Sequence, residues 1–267
     1  MSSLILISDT GPIRTITLNR PTHRNALTPQ MQRELITALD AVAESSAVRV
    51  LVLTGAGEAF CAGLDLSSLK DLAHVPAASS SPAFELADNA HRILRILRSL
   101  YDLPIPTIAA VNGHAIAGGT GIATVCDFTL AVPAAKFGYT EVKIGFVPAL
   151  VSAFLALQVG DKRARDLLLT GRLFSAQEAH ALGLVSEIVA PADLFTRVQS
   201  LAETLLANSP TSLAETKGLL ADQNRAWLDN AIALALKASA ASRRTPDFRE
   251  GVTAFLEKRK PSWSPSR

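Results

Sequence analysis

The chain has 267 residues, 48% of them hydrophobic, and a mean hydropathy of +0.25, enough apolar material to fill one large domain or a core with an appendage. A net charge of +2 and an isoelectric point of about 8.6 are too balanced to make nucleic acid or an anionic membrane the main partner. Its two cysteines, Cys61 and Cys126, lie in apolar segments without metal-ligand spacing, which argues against a disulfide framework or a metal centre and for a reducing, cytoplasmic compartment.

The N-terminus lacks the basic start and long apolar run of a signal peptide, and no apolar stretch is long enough to span a bilayer, so a soluble protein is expected. Leu4 to Ser8 and Arg14 to Leu18 read as strands joined by the turn Asp9-Thr10-Gly11-Pro12. Thr28 followed by Pro29 is a helix start, and Met31, Leu35, Leu39 and Val42 continue it at helical spacing to about Glu44. Val48 to Thr54 is an apolar run closed by Gly55, the pattern of a strand buried on both faces. His74 to Pro82 has no apolar period and reads as a mobile surface loop. Helical spacing returns from Phe84 to Tyr101, with Arg92, Arg95 and Arg98 expected on a solvated face. Thr107 to Val111 and Phe128 to Val132 are further strands around a short helix that begins at Ala117-Gly118-Gly119. Beyond Pro148 alanine-rich helical segments dominate, at 149–158, 162–169, 175–182, 193–207, 211–221, 226–241 and 247–258. An α/β core over 1–195 and a helical region over 196–267 follow from this change of character.

Two glycine turns carry the chemistry: Phe60 to Leu66 (FCAGLDL) and Asn112 to Gly121 (NGHAIAGGTG). A glycine turn that opens a helix leaves peptide N–H groups unpaired at the positive end of the helix dipole, suited to a developing oxyanion. Two such turns suggest one hole. Glu141, in FGYTEVKIG among Phe137, Val142, Ile144 and Phe146, is the carboxylate whose surroundings would desolvate it and raise its basicity. Asp65 reads as a helix cap and Asp127 as structural, Asp71 and Glu85 flank the expected loop, and His74, His91 and His114 have no triad partners.

In this order these segments, with LNRPTHRNAL (Leu18 to Leu27), CDFTLA, LLLTGRLFSAQEAHALGLV and FLEKRKPSW, resemble the crotonase superfamily of enoyl-CoA hydratases and isomerases. The resemblance spans most of the chain. It implies a spiral of ββα units with a C-terminal helical trimerisation region, a homotrimer or dimer of trimers, and an acyl-CoA substrate with no further cofactor, coenzyme A being part of the substrate. It places the oxyanion donors on the N–H groups of Leu64 and Gly118 and the catalytic carboxylate on Glu141. It likewise assigns CoA contacts to Arg24 (phosphates), Ala26, Ala62 and Leu66 (adenine and pantetheine), and Phe255 and Lys258, the last two reaching CoA on a neighbouring subunit. One departure stands out. Two-glutamate hydratases carry a second glutamate where this chain has Gly121. Hydration calls for an activated water and a proton donor, whereas moving a double bond from C3 to C2 needs one base that shuttles a proton. Single-glutamate members resemble Δ3,Δ2-enoyl-CoA isomerases, which places isomerisation slightly ahead. Hydration by Glu141 alone, thioester hydrolysis, decarboxylation and a silent CoA- or RNA-binding homologue stay open.

Overall fold

The computed structural model describes residues 3–66 and 80–263, the side chains of 80–87 excepted. The expected loop from His74 lies outside the described residues up to 79, as do Asp71, His74 and the side chain of Glu85; Ser80 to Pro82 are helical.

The chain opens as the expected hairpin, β1 (Ile5–Thr10) antiparallel to β2 (Ile13–Leu18), turning at Gly11 with φ +57°. Helix α1 (Pro29–Ala43) starts where Thr28 accepts a hydrogen bond from the Met31 N–H at 3.1 Å, with proline at its first position. The next units repeat one device. β3 (Val50–Gly55), β5 (Thr107–Val111) and β7 (Phe128–Ala131) lie side by side in parallel in a six-stranded sheet of order β1-β2-β3-β5-β7-β10. Each is followed at once by a three-residue strand, β4 (Ala59–Cys61), β6 (His114–Ile116) or β8 (Lys136–Gly138), that turns into a second sheet of order β4-β6-β8-β9. Helices α2 (Ser80–Asp102) and α3 (Gly118–Val125) then return the chain to the first sheet. A strand in each sheet and then a helix, stacked in parallel, is a spiral of ββα units. Burial explains the apolar runs: every residue of β3 and β5 is buried.

The remaining elements are α4 (Ala149–Thr170), β9 (Leu173–Ser175), α5 (Ala176–Ala181), β10 (Glu187–Ile188), α6 (Leu194–Leu206), α7 (Pro210–Ser242) and α8 (Pro246–Leu256). Helix α6 lies against β3, β5 and β7 rather than apart from them. One expected break is absent. Helices expected at 211–221 and 226–241 are one 33-residue helix, α7, because Asp222 to Arg225 contains no breaker and only supplies its polar face. The two segments expected at 149–158 and 162–169 are present within α4 as helices that meet at Gly160, whose φ of +75° and ψ of 163° are not helical. The arginines of α2 are also not simply solvated. Arg98 pairs with Asp102 at 3.0 Å and Asp229 at 2.9 Å, Arg95 with Asp40 at 2.7 Å, and Arg92 with Asp88, so they tie α2 to α1 and α7.

Candidate active site

A cavity of about 700 Å³ opens where the two sheets, α2, α7 and α8 meet, a size that accommodates a small organic ligand. Its wall includes Leu64, Gly118 and Glu141 together.

The first glycine turn is held by a short parallel bridge: the Leu27 N–H donates to the Gly63 carbonyl at 2.7 Å, and the Asp65 N–H donates to the Leu27 carbonyl at 3.2 Å. In that geometry residues 63 and 65 bond to Leu27, and the N–H of Leu64 points away from the bridge. Gly118 opens α3, so its N–H has no acceptor within the helix. The two turns touch. A Cβ on Gly63, whose φ is +84°, would stand 2.9 Å from the Ile116 oxygen, 3.0 Å from Ala117 Cβ and 3.5 Å from Gly118 N. Ala117 itself takes φ +51° and ψ −123°, a conformation costly for a residue with a Cβ, and is fixed by its N–H donating to the Gly138 carbonyl at 2.6 Å.

Glu141 begins a 3₁₀ turn, Glu141–Ile144, between β8 and α4. Its residue surface is half-buried, yet its Oε2 is sealed from solvent and has no hydrogen-bond partner among the described residues. Burial pushes its carboxyl up to about 7, an upward shift only partly offset by its own backbone N–H. The turn is clamped by α8. A Cβ on Gly145 would meet the Asp247 carbonyl oxygen at 2.2 Å, and one on Gly251 would meet the Ile144 backbone at 2.3 Å, so two glycines let the backbones touch. Phe146 and Phe248 pack at 5.7 Å, and the Arg243 guanidinium carbon lies 5.2 Å above the Phe146 ring.

Among the described residues the other carboxylate on this wall is Asp65. It is ion-paired with Arg20 at 2.5 Å; the residues from 67 that it would cap lie outside the described residues. Asp127 is structural, accepting from the Thr107 N–H, the Thr107 hydroxyl and Lys217. His114 lies on the wall and its Nδ1 accepts from the Lys136 N–H at 3.1 Å. Cys61 is fully buried and its thiol is pushed up to about 12, too high to be a nucleophile.

Gly121 has a reason to be glycine. It is buried, and a Cβ there would meet Val151 Cγ1 at 2.5 Å and Leu97 Cδ2 at 3.7 Å. Val151 of α4 fills the space a side chain at 121 would need.

Arg24, Ala26, Ala62, Leu66 and Phe255 all line the same cavity. Arg24 is exposed, and its carbonyl accepts from the Ala62 N–H at 2.9 Å, tying this segment to the first glycine turn. Phe255 is exposed and stands at this chain's own cavity. Lys258 is exposed at φ +56° and is not on the wall. Sequence reasoning passed over Asn89, Val151, Ser239 and Arg243, all on the wall. Asn89 stands one turn before Ile93 and Ser239 one turn after Ala235, polar residues interrupting buried helical stripes, and that interruption is the signal that would have found them.

The family profile described as Enoyl-CoA hydratase/isomerase matches residues 9–266. The chain belongs to that family. Over 251 residues it is 45% identical to a Thermus thermophilus protein named as an enoyl-CoA hydratase, covering 94% of this chain and 97% of that one. It is 33% identical over 266 residues to the 1,2-epoxyphenylacetyl-CoA isomerase of Escherichia coli, with 99% of each covered. The crystal structure of an enoyl-CoA hydratase from Mycobacterium avium subsp. paratuberculosis superposes with a TM-score of 0.85 at 27% identity over 98% of this chain and 99% of that one. This enoyl-CoA hydratase/isomerase family enzyme therefore has the crotonase fold and acts on acyl-CoA. Among the described residues no cluster of His, Cys, Asp or Glu could hold a metal ion, and no helix is long and apolar enough to cross a membrane.

Proposed function

We propose that this enzyme isomerises a 3-enoyl-CoA to the conjugated 2-enoyl-CoA with Glu141 as its single proton shuttle. The observation that carries the reading is the pairing of a desolvated Glu141 with a Gly121 whose side-chain space belongs to Val151. Glu141 removes a C2 proton, the electron pair moves onto the thioester oxygen as an enolate, and the N–H groups of Leu64 and Gly118 receive that oxygen. The protonated carboxyl returns the proton to C4 as the C3–C4 double bond moves to C2–C3. A carboxyl titrating near 7 both accepts and returns a proton at neutral pH.

CoA would run along Ala26, Ala62 and Leu66, with its phosphates toward Arg24 and its mouth bounded by Phe255. A trimer, or a dimer of trimers, fits the exposed stripe Leu220, Trp227 and Leu234 on α7, whose neighbouring face buries Leu228, Ile232 and Ala235. The location is proposed to be cytoplasmic and reducing, in keeping with two buried, unpaired thiols.

Hydration is the second reading, favoured by the hydratase name of the Thermus relative. It requires a water held by groups other than a second carboxylate. Product analysis decides: a 3-enoyl-CoA converted to 2-enoyl-CoA without 3-hydroxyacyl-CoA supports isomerisation, and 3-hydroxyacyl-CoA formed from 2-enoyl-CoA supports hydration.

A further inference from the structure

The second glycine turn and Glu141 come from different elements, and one residue of β8 joins them. Gly138 ends β8, three residues before Glu141. Its carbonyl accepts from the Ala117 N–H at 2.6 Å and its N–H donates to the Thr120 hydroxyl at 3.1 Å, so both of its backbone polar groups bond to the turn that opens α3. Thr120 Oγ1 also lies 2.6 Å from the Ala115 carbonyl of β6 and 3.1 Å from the Gly138 carbonyl. A hydroxyl has one proton to give. The shorter contact takes it, so Thr120 donates to β6 while accepting from β8, and the Gly138 carbonyl is satisfied by Ala117. Thr120 is 0% exposed, so its hydroxyl acts on backbone and not on a ligand, and branching at Cβ restricts its rotamers. It stands two residues after Gly118.

We infer that Thr120 is a positioning residue, whose hydroxyl holds the Gly118 N–H and the Glu141 carboxylate at a fixed separation by locking the α3 turn to β6 and β8. The inference rests on the roles proposed above, in which that N–H receives the thioester oxygen and that carboxylate moves the proton. The Ala117 bond alone is a hinge, since one bond fixes a distance and leaves an orientation free. It also springs from a residue at φ +51° and ψ −123°, a costly conformation that persists only where its surroundings impose it. The Thr120 hydroxyl adds the second and third points of attachment and makes the hinge a clamp. Without it the buried Gly138 N–H loses its acceptor, and the backbone shifts to find another. Chemistry that depends on a base and an oxyanion donor acting on one substrate is sensitive to such a shift.

The test compares the natural enzyme with Thr120→Val, which keeps the shape and loses the hydroxyl, and Thr120→Ser, which keeps the hydroxyl. Thr54→Val is the control, because it removes a buried threonine hydroxyl that donates to the Ala110 carbonyl at 2.8 Å in the first sheet. Steady-state kcat and KM are measured on whichever of a 3-enoyl-CoA and a 2-enoyl-CoA the natural enzyme turns over, with the folded fraction of each variant counted by near-ultraviolet circular dichroism. Thr120→Val should lower kcat about 10- to 100-fold and change KM by less than about twofold. Thr120→Ser should recover most of that loss, and Thr54→Val should unfold at lower urea while keeping its kcat. If Thr120→Val misfolds, Thr120→Ala takes its place, since it adds no bulk. A kcat unchanged in Thr120→Val, an equal drop in Thr54→Val, or a drop that Thr120→Ser does not repair would overturn the inference. Misfolding of both Thr120→Val and Thr120→Ala beside a folded Thr54→Val would overturn it too, by reducing the hydroxyl to a stability role. Natural kcat in a parallel Glu141→Gln variant would instead contradict the assignment of the base on which the inference rests.

Discussion

At the scale of single residues, the proposed isomerisation rests on Glu141 and on the glycine facing Val151. Replacing Glu141 with Gln should lower kcat by about 10²- to 10⁴-fold, the usual worth of a positioned acid–base group, in a steady-state assay of 3-enoyl-CoA. The same substitution has a stability signature. A carboxyl whose folded pKa of about 7 exceeds its ordinary 4.5 binds more protons in the native state than in the unfolded one between those values. Stability therefore falls as pH rises through that window, by at most about 3 kcal/mol from this group. Glu141→Gln should be more stable than the natural enzyme at pH 8 and equal to it at pH 4, measured by urea denaturation. The same titration puts the rising limb of kcat/KM near pH 7. Gly121→Glu alone should destabilise by about 1–3 kcal/mol through collision with Val151 and yield no hydratase, while adding Val151→Gly should recover much of the lost stability.

At the scale of elements, the tight seam between α8 and the Glu141–Ile144 turn gives a second test. Gly251→Ala drives a Cβ into the Ile144 backbone and should displace the Glu141 carboxylate, lowering kcat at least tenfold under the proposed mechanism. Gly218→Ala, on the exposed length of α7 where a Cβ meets nothing, should leave activity unchanged and add slight stability. This seam was invisible in the sequence because Gly145 and Gly251 lie far apart along the chain and neither belongs to a recognisable turn signal. Local chemistry was legible where it was local: Thr28-Pro29 announced α1, and the apolar run 48–54 announced β3 within a few residues. The strands β4, β6 and β8 went unseen because three residues carry no periodicity, and a second sheet assembled from them is purely a tertiary product. Leu64, Gly118 and Glu141 were legible through their motifs, but their meeting in one cavity depends on that second sheet.

At the scale of the whole molecule, α7 has two apolar faces, one buried against α2 and α4 and one exposing Leu220, Trp227 and Leu234. A helix with a second apolar stripe asks for a partner, and the proposed trimer supplies one. Trp227→Lys should shift the light-scattering mass toward the monomer, and an unchanged mass would place the subunit contact elsewhere. The helical arm also closes the cavity from its own chain, since Phe248, Phe255, Ser239 and Arg243 stand on the same wall as Glu141. One chain thus brings Glu141, Leu64 and Gly118, the residues of the proposed mechanism, to one cavity.

The measurement closest to the central claim is turnover of a 3-enoyl-CoA and a 2-enoyl-CoA side by side, with Glu141→Gln as control and products separated by chromatography. The single-base account predicts that the 3-enoyl thioester becomes the 2-enoyl thioester, that the variant loses this conversion, and that no 3-hydroxyacyl-CoA forms from either. Glu141-dependent 3-hydroxyacyl-CoA from the 2-enoyl thioester would contradict it and show that a water is activated without a carboxylate at position 121.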